Sequence, residues 1–429
     1  MKSLSSLRRH LTPTQTNIYF SIVCFLSPVL GSAVSVAFNA GGACSVLLVA
    51  LRRRQFNFDR PMLAMTASIY AYCAAMVLAS TVDGALGADL KYFLPLITLL
   101  FFPISYSTWS STDKVTLARI AVLASAAACC GALAIAIVQY HWIGTRAEGG
   151  AGNAIVFATV TCLAVMMCLA GALSGIVKDW KLLAVAALAG AVAIIYSESR
   201  MIWVAMLIAI IAILLINRHR FMAVSLTRLA IVTGAACLVV AALGFPIIAG
   251  RADFLFSDWD ALTARGDYNT ALGLRVAMWE IGLGAFREMP IFGHGISASR
   301  TLMKQGFHDQ FGMAAGFNHY HSGFLTALVQ AGAVGALALA AIFVVATRNA
   351  TKVLRLSGEP VERFGATMLI VTVITYLIGG MTGIIIGHDI LDSVLMVFMI
   401  SGTYLACGRT VSPMGKCALG VVPLASHPP

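Results

Sequence analysis

The sequence predicts an all-α polytopic membrane protein, and three observations carry that prediction. Of 429 residues, 59% are hydrophobic and only 11% are charged, against about 25% charged in soluble domains. Uncharged apolar runs of membrane-spanning length recur along the chain. Lysine and arginine also crowd into alternate connections between those runs, as a positive-inside distribution requires.

The runs place about twelve transmembrane helices, near 18–30, 32–51, 62–82, 92–108, 116–140, 151–174, 181–197, 200–217, 226–249, 320–347, 364–387 and 389–407. The first two are the hardest to separate. "SPVLGSAVSVAFNAGG" holds Pro28 and several glycines, and one broken helix is the other reading. With both termini cytoplasmic, every cytoplasmic connection is basic. The outer side then holds only Lys91, Arg146, Arg200, Arg251, Arg265, Arg275, Arg287, Arg300 and Lys304. The net charge of +11 is thus a topology signal, and no nucleic-acid patch is needed to explain it.

The N-terminal "MKSLSSLRRHLTPTQTN" has no small-residue cleavage site after its first apolar run and reads as a cytoplasmic tail. The ten cysteines fall in apolar runs or the C-terminal tail, without C-x-x-C or Cys/His spacing. They imply neither a disulfide framework nor a metal site, and Cys129 and Cys130 read as small packing residues.

One connection is unlike the rest. Residues 250–319 form a long outer loop, dividing the chain into 1–249 (helices one to nine), the loop itself, and 320–429 (three helices and a cytoplasmic tail). Long loops without a role are uncommon. Gly266-Asp267 predicts a turn, "LRVAMWEIGLGAF" (274–286) an amphipathic helix, and Pro290 with the glycines of "PIFGHGIS" its end.

The arginines are the first candidates for chemistry. A guanidinium stays charged and matches phosphate oxygens two at a time. The plainer alternative for each loop arginine is a pair with Asp258, Asp260, Asp267, Glu280 or Glu288, or with lipid phosphates. Arg200, in "IIYSESRMIWVA", is different because it interrupts two apolar runs joined by almost no loop. A charge at that depth needs a partner or a task, and Glu198 is the nearest candidate partner.

His319 and His321, in "NHYHSGFL", stand where the loop meets the next span. Residues two apart do not share a helix face, so both face inward only if the helix starts about there. In a first turn the helix dipole disfavours imidazolium, and a neutral imidazole is the form that accepts a hydroxyl proton. An interfacial histidine bonded to headgroups is the alternative. "SDWD" (257–260) contains an Asp-x-Asp of the kind that holds a divalent cation on a nucleotide sugar, a pattern that also arises by chance. In "GHDILD" (387–392), Asp389 reads as a helix cap, and Asp392, deeper in the span, is harder to explain.

The order of these parts resembles the O-antigen ligase and polymerase superfamily of bacterial envelope glycosyltransferases, which are GT-C-like. A Tyr-Ser-x-Ser-Arg turn precedes a long outer loop with an Arg-x-x-x-Trp helix and Pro-x-x-Gly-x-Gly. The loop closes on His-x-His-Ser, leading into a span with a Gln-x-Gly midsection, the whole covering about 185–345. The resemblance implies a ligase moving glycan from undecaprenyl diphosphate to a sugar hydroxyl of lipid A–core, at the periplasmic face of the bacterial inner membrane. It implies no metal, cofactor or nucleotide sugar. Arg200, Arg265 and Arg275 would bind the diphosphate, and His321, or alternatively His319, would be the catalytic base. Gly293-His294-Gly295 stands where relatives commonly have a plain Gly-x-Gly, so a role for His294 would be peculiar to this chain.

Polymerases of the superfamily resemble one another in a glycine eleven residues after arginine in two outer loops. Here Val276, Phe286 and Ile211 stand there instead. Protein O-oligosaccharyltransferases often carry a larger outer C-terminal domain. A lipid transporter or flippase, the reading from another class, would show internal repeats, and the two halves show none that convinces.

Overall fold

The computed structural model describes residues 13–218, 226–314 and 317–411. Residues 1–12 and 412–429, most of the two terminal tails expected in the cytoplasm, lie outside the described residues. Helices α1 (Pro13–Phe25), α2 (Ser27–Leu30) and α3 (Ser32–Ala50) open the chain. There follow α4 (Arg60–Val82), α5 (Leu86–Asp89), α6 (Leu94–Leu100), α7 (Phe102–Trp109), α8 (Lys114–Ile137), α9 (Ala154–Ser174), α10 (Trp180–Tyr196) and α11 (Arg200–Ile216). The rest are α12 (Leu226–Arg265), α13 (Ala271–Glu288), α14 (Gly295–Phe311), α15 (Gly323–Leu356), α16 (Pro360–Gly379) and α17 (Asp389–Cys407). The described residues contain no strand, so the all-α expectation holds.

Short polar side chains fix where helices start. Asp59, Asp113, Asn153, Asp179, Thr270 and Ser322 each accept a bond from a backbone amide two or three residues on. Such bonds satisfy amides that the helix itself leaves unpaired.

Among the described residues seven helices are long and apolar enough to cross a membrane, or eight if the pair Leu86–Tyr92 and Leu94–Trp109, bent by 64°, is one span. That is fewer than the expected twelve, for identifiable reasons. The segment at 18–30 is split into helices of 13 and 4 residues, and α10 and α11 have 17 residues each. The start of α12 has no described side chains. The first two expected spans are separate helices and not one broken one. Gly31 turns between them at φ 53°, against Gly150, and Arg54 at the end of α3 donates to Asn17 Oδ1 in α1 at 2.8 Å.

Successive connections gather at opposite ends of the bundle. At one end Asn57 donates to the Arg409 carbonyl at 3.0 Å, Arg363 to that of Ile216 at 3.0 Å, and Lys114 pairs with Glu362 at 3.8 Å. At the other, Asp89 meets the start of α14, Ala147 N donates to Tyr196 O at 3.0 Å, and Gly323 N to Gly380 O at 2.7 Å. This is the alternation the charge pattern predicts. In the middle, α17 has 94% of its apolar window buried and α3 only 28%, so α17 is a central helix and α3 a peripheral one. Cys129 packs under Gly190, as expected of a small packing residue, whereas Cys130 is exposed.

Helix α12 runs on through Arg265, so 250–265 are helical. The expected helix at 274–286 lies inside α13, and α14 is a further helix that the hydrophobic pattern did not announce.

Candidate active site

Two motifs prove to be halves of one joint. Helix α15 is broken at Ala331 and Gly332, the latter at φ 61° and ψ −162°. The Pro290–His294 turn fills the break: Ala333 N donates to Pro290 O at 2.8 Å, Val334 N to Ile291 O at 3.2 Å, and His294 N to Val329 O at 2.9 Å. The groups freed by the broken helix are thereby paired, as a water-poor interior demands. A Cβ on Gly293 would sit 2.6 Å from Gly332 N, and one on Gly332 would collide with the Ile291 carbonyl. The Gly-x-Gly and Gln-x-Gly stretches are therefore backbone contacts. His294 is buried with Nε2 2.8 Å from the Ala285 carbonyl, tying the turn to α13.

This joint holds the segment that carries the histidines. Helix α15 starts at Gly323, not at 320, so His319 and His321 both precede it. That is how residues two apart bring their rings together, with centroids 4.4 Å apart. The buried Tyr320 between them donates to Ser299 O at 2.9 Å. His321 has φ 44°, one of three non-glycine residues at positive φ among the described residues, with Arg52 and Glu198. Such backbone costs about 1–3 kcal/mol and persists where its surroundings hold it.

Burial lowers the affinity of both rings for a proton. His321 is held below the usual imidazole range by burial first and by the Arg275 guanidinium second, with the Thr382 backbone opposing. Burial brings His319 down to about 4, helped by His321, His388 and Arg300. The cause is desolvation and neighbouring cations, more than the first-turn dipole expected from the sequence. His321 Nδ1 is buried and has no hydrogen-bond partner.

Arg275 lies next to His321, and further arginines gather around Arg275: Arg200, Arg251 and Arg146. Arg200, the first residue of α11, donates through Nη1 to the Arg251 carbonyl at 2.9 Å. Its expected partner Glu198 is turned away by a φ of 56° and pairs instead with Arg251, and with Arg146 Nε at 3.5 Å. Arg146 also donates to Ser197 O at 3.0 and 2.8 Å. Arg275 makes no hydrogen bond or ion pair among the described residues. Burial and then Arg200 ease its hold on the proton, against Asp258. Arg265 ends α12, is exposed, and makes no such contact either.

The carboxylates resolve simply. Asp258 and Asp260 lie two apart within α12, on different faces of a helix, and Asp258 accepts from Leu272 N at 3.2 Å. Asp389 does not cap α17. The cap position is His388, whose Nδ1 lies 3.2 Å from Asp389 Oδ1. The buried Asp392 accepts from Gly387 N at 3.0 Å, which accounts for its depth. Among the described residues no three His, Cys, Asp or Glu are grouped to hold a metal ion.

Residues 183–340 match the family model described as O-antigen ligase. That stretch, a little over a third of the chain, supports membership of the O-antigen ligase and polymerase superfamily. No curated protein matches it. The matched stretch holds both histidines, Arg200, Arg251, Arg265, Arg275 and the whole glycine joint. Arg146, His388 and the Asp89 loop, which complete the surroundings of the site, lie outside it. Arg146 and Arg251 were visible in the sequence as outer cations, but nothing there joined them to Glu198. His388 had no signal beyond its position at an outer mouth.

Proposed function

We propose that the protein is an O-antigen ligase, transferring glycan from undecaprenyl diphosphate to a sugar hydroxyl of lipid A–core. The observation that supports this best is the meeting of Arg275 and His321, with the ring's pKa held down and its Nδ1 unbonded.

In this mechanism the acceptor hydroxyl attacks the anomeric carbon and its proton passes to His321. The anomeric C–O bond to the diphosphate breaks on the opposite face, inverting the centre. Charge developing on the departing undecaprenyl diphosphate is stabilised by Arg200 and Arg275, with Arg265 closing from the exposed end of α12. His319 is the alternate base. The loop 250–319 is the site-bearing part, framed by 1–249 and 320–429, and needs no metal or cofactor. The site faces the periplasm, the protein lies in the bacterial inner membrane, and both termini are cytoplasmic.

An almost wholly apolar groove of about 550 Å³ runs between α15 and α16 from Phe324, three residues past His321, to Arg348. Apolar space of this kind beside the site supports the reading, since a lipid-linked donor needs it. The test is transfer by purified protein given the lipid-diphosphate glycan and lipid A–core, with chelator and without ATP. Glycan on lipid A–core is the expected product. Longer glycan still on diphosphate would instead mean a polymerase, glycan on added protein an oligosaccharyltransferase, and lipid crossing the bilayer without product a transporter.

A further inference from the structure

Arg300 acts on His319 as Arg275 acts on His321, and it belongs to a second group of cations. Arg300, on α14, lies over the Tyr92 ring at 4.2 Å, and Lys91 Nζ lies 5.0 Å from the same ring. The placement is built from several contacts. Asp89 Oδ2 accepts from Ile296 N at 2.9 Å and Oδ1 from Ser297 N at 2.7 Å, with Ser80 Oγ donating to the same carboxylate. These bonds tie the Tyr92 loop to the first turn of α14, and Tyr320 ties that helix to the histidines through Ser299.

Asp89 would be the natural counter-ion for Lys91, two residues away, but its oxygens are taken by the amides and Ser80. Among the described residues neither Lys91 nor Arg300 has an ion pair, and Arg300 Nε is buried without a hydrogen-bond partner. The Nε edge of a guanidinium is one of the two that grip a phosphate with paired N–H groups. Stacking on Tyr92 fixes the plane of that fork in advance.

We propose that Arg300 and Lys91, seated on Tyr92, form a second anion subsite that takes a phosphate ester on the acceptor side of the reaction. It rests on the ligase reading for the acceptor, not for the phosphate chemistry. Donor diphosphate lies with Arg200 and Arg275, and the acceptor enters across the histidine pair, held by its own phosphate. An anionic phospholipid headgroup offers the same chemistry, and the experiment separates the two sources.

Full-length wild type, Arg300→Gln, Arg300→Lys and Lys91→Gln are compared in phosphate-free maltoside micelles, with melting checked for each. Transfer is measured on lipid A–core as it is and after phosphatase treatment. Arg300→Gln should raise the acceptor KM about tenfold, roughly one charge-assisted hydrogen bond, on the phosphorylated acceptor alone. Donor KM should stay unchanged, and Arg300→Lys should recover part of the loss. Binding of glucose 6-phosphate, read by equilibrium dialysis, needs no transfer and should also weaken in Arg300→Gln. If that binding weakens while no protein transfers glycan, the subsite stands and the ligase reading falls. Weakened retention of phosphatidylglycerol in Arg300→Gln, with no preference between the two acceptors, overturns the acceptor assignment in favour of a headgroup site. Equal loss on both acceptors with unchanged glucose 6-phosphate binding overturns the subsite altogether.

Discussion

Asp59 and Glu198 stand at opposite ends of the bundle and use their charge differently. Asp59 accepts from Met62 N at 3.0 Å, Tyr106 Oη at 2.8 Å and Arg409 N at 3.0 Å, all on ordinary backbone. It closes its end of the molecule and leaves nothing over. Glu198 sits on positive-φ backbone, pairs with Arg251 and Arg146, and leaves Arg200 and Arg275 without a direct ion pair, with Asp258 the carboxylate that acts on both from a distance. Beyond it lie His321 Nδ1, Trp279 Nε1 and Arg300 Nε, all buried and without a hydrogen bond. Asp59 is fully used although its end also holds the positive-φ Arg52 and the unbonded Arg54 Nη1. At the other end the unmet groups include a histidine and an arginine nitrogen, as in a binding site.

The largest way to break that contrast is at the histidines. His321→Ala should lower transfer by about 10²–10⁴-fold, the usual range for a general base, with donor binding retained in a filter assay. His319→Ala should cost much less. If the two losses are reversed, the base is His319.

Next is the joint that carries them. Gly332→Ala puts a side chain at φ 61° against the Ile291 carbonyl and should destabilise by about 1–3 kcal/mol or more. Thermal unfolding in detergent reads this, with transfer falling in parallel. A variant that melts and transfers like wild type would show that the turn is positioned by something else.

The smallest functional effect belongs to the opposite end. Asp59→Ala removes a helix cap and two further bonds and should cost about 1–3 kcal/mol, with kcat and KM unchanged at a permissive temperature. A change in KM there would erase the distinction between the ends.

The sequence carried the helical class, the alternation of ends and the order of the motifs, because each follows from composition or local spacing. It also pointed to His321, Arg200 and Arg275 through the resemblance. Two helices escaped it for physical reasons. The charges of "RADFLFSDWD" mark where apolar surface ends, but a helix need not end there, and α12 continues. Helix α14, "GISASRTLMKQGFHDQF", does bury a stripe of Ile296, Met303 and Phe307, but it is polar overall and starts straight from the Gly-x-Gly turn, so no apolar run marked it. The wider arginine set was hidden because Arg146, Glu198 and Arg251 meet across about fifty residues of chain at each step, a distance no local pattern spans. That Glu198 would turn from Arg200 depended on one backbone angle.

The central claim is that His321 acts as a neutral base beside Arg275, and the pH dependence of transfer tests it most directly. Since burial and Arg275 depress its pKa, the base form persists below the usual imidazole range, and activity should be lost only as pH falls through that lowered value. Removing the cation in Arg275→Gln should move the acid limb of kcat/KM to higher pH, besides weakening donor use. An acid limb that stays in place in Arg275→Gln, or one that survives in His321→Ala, would contradict the account.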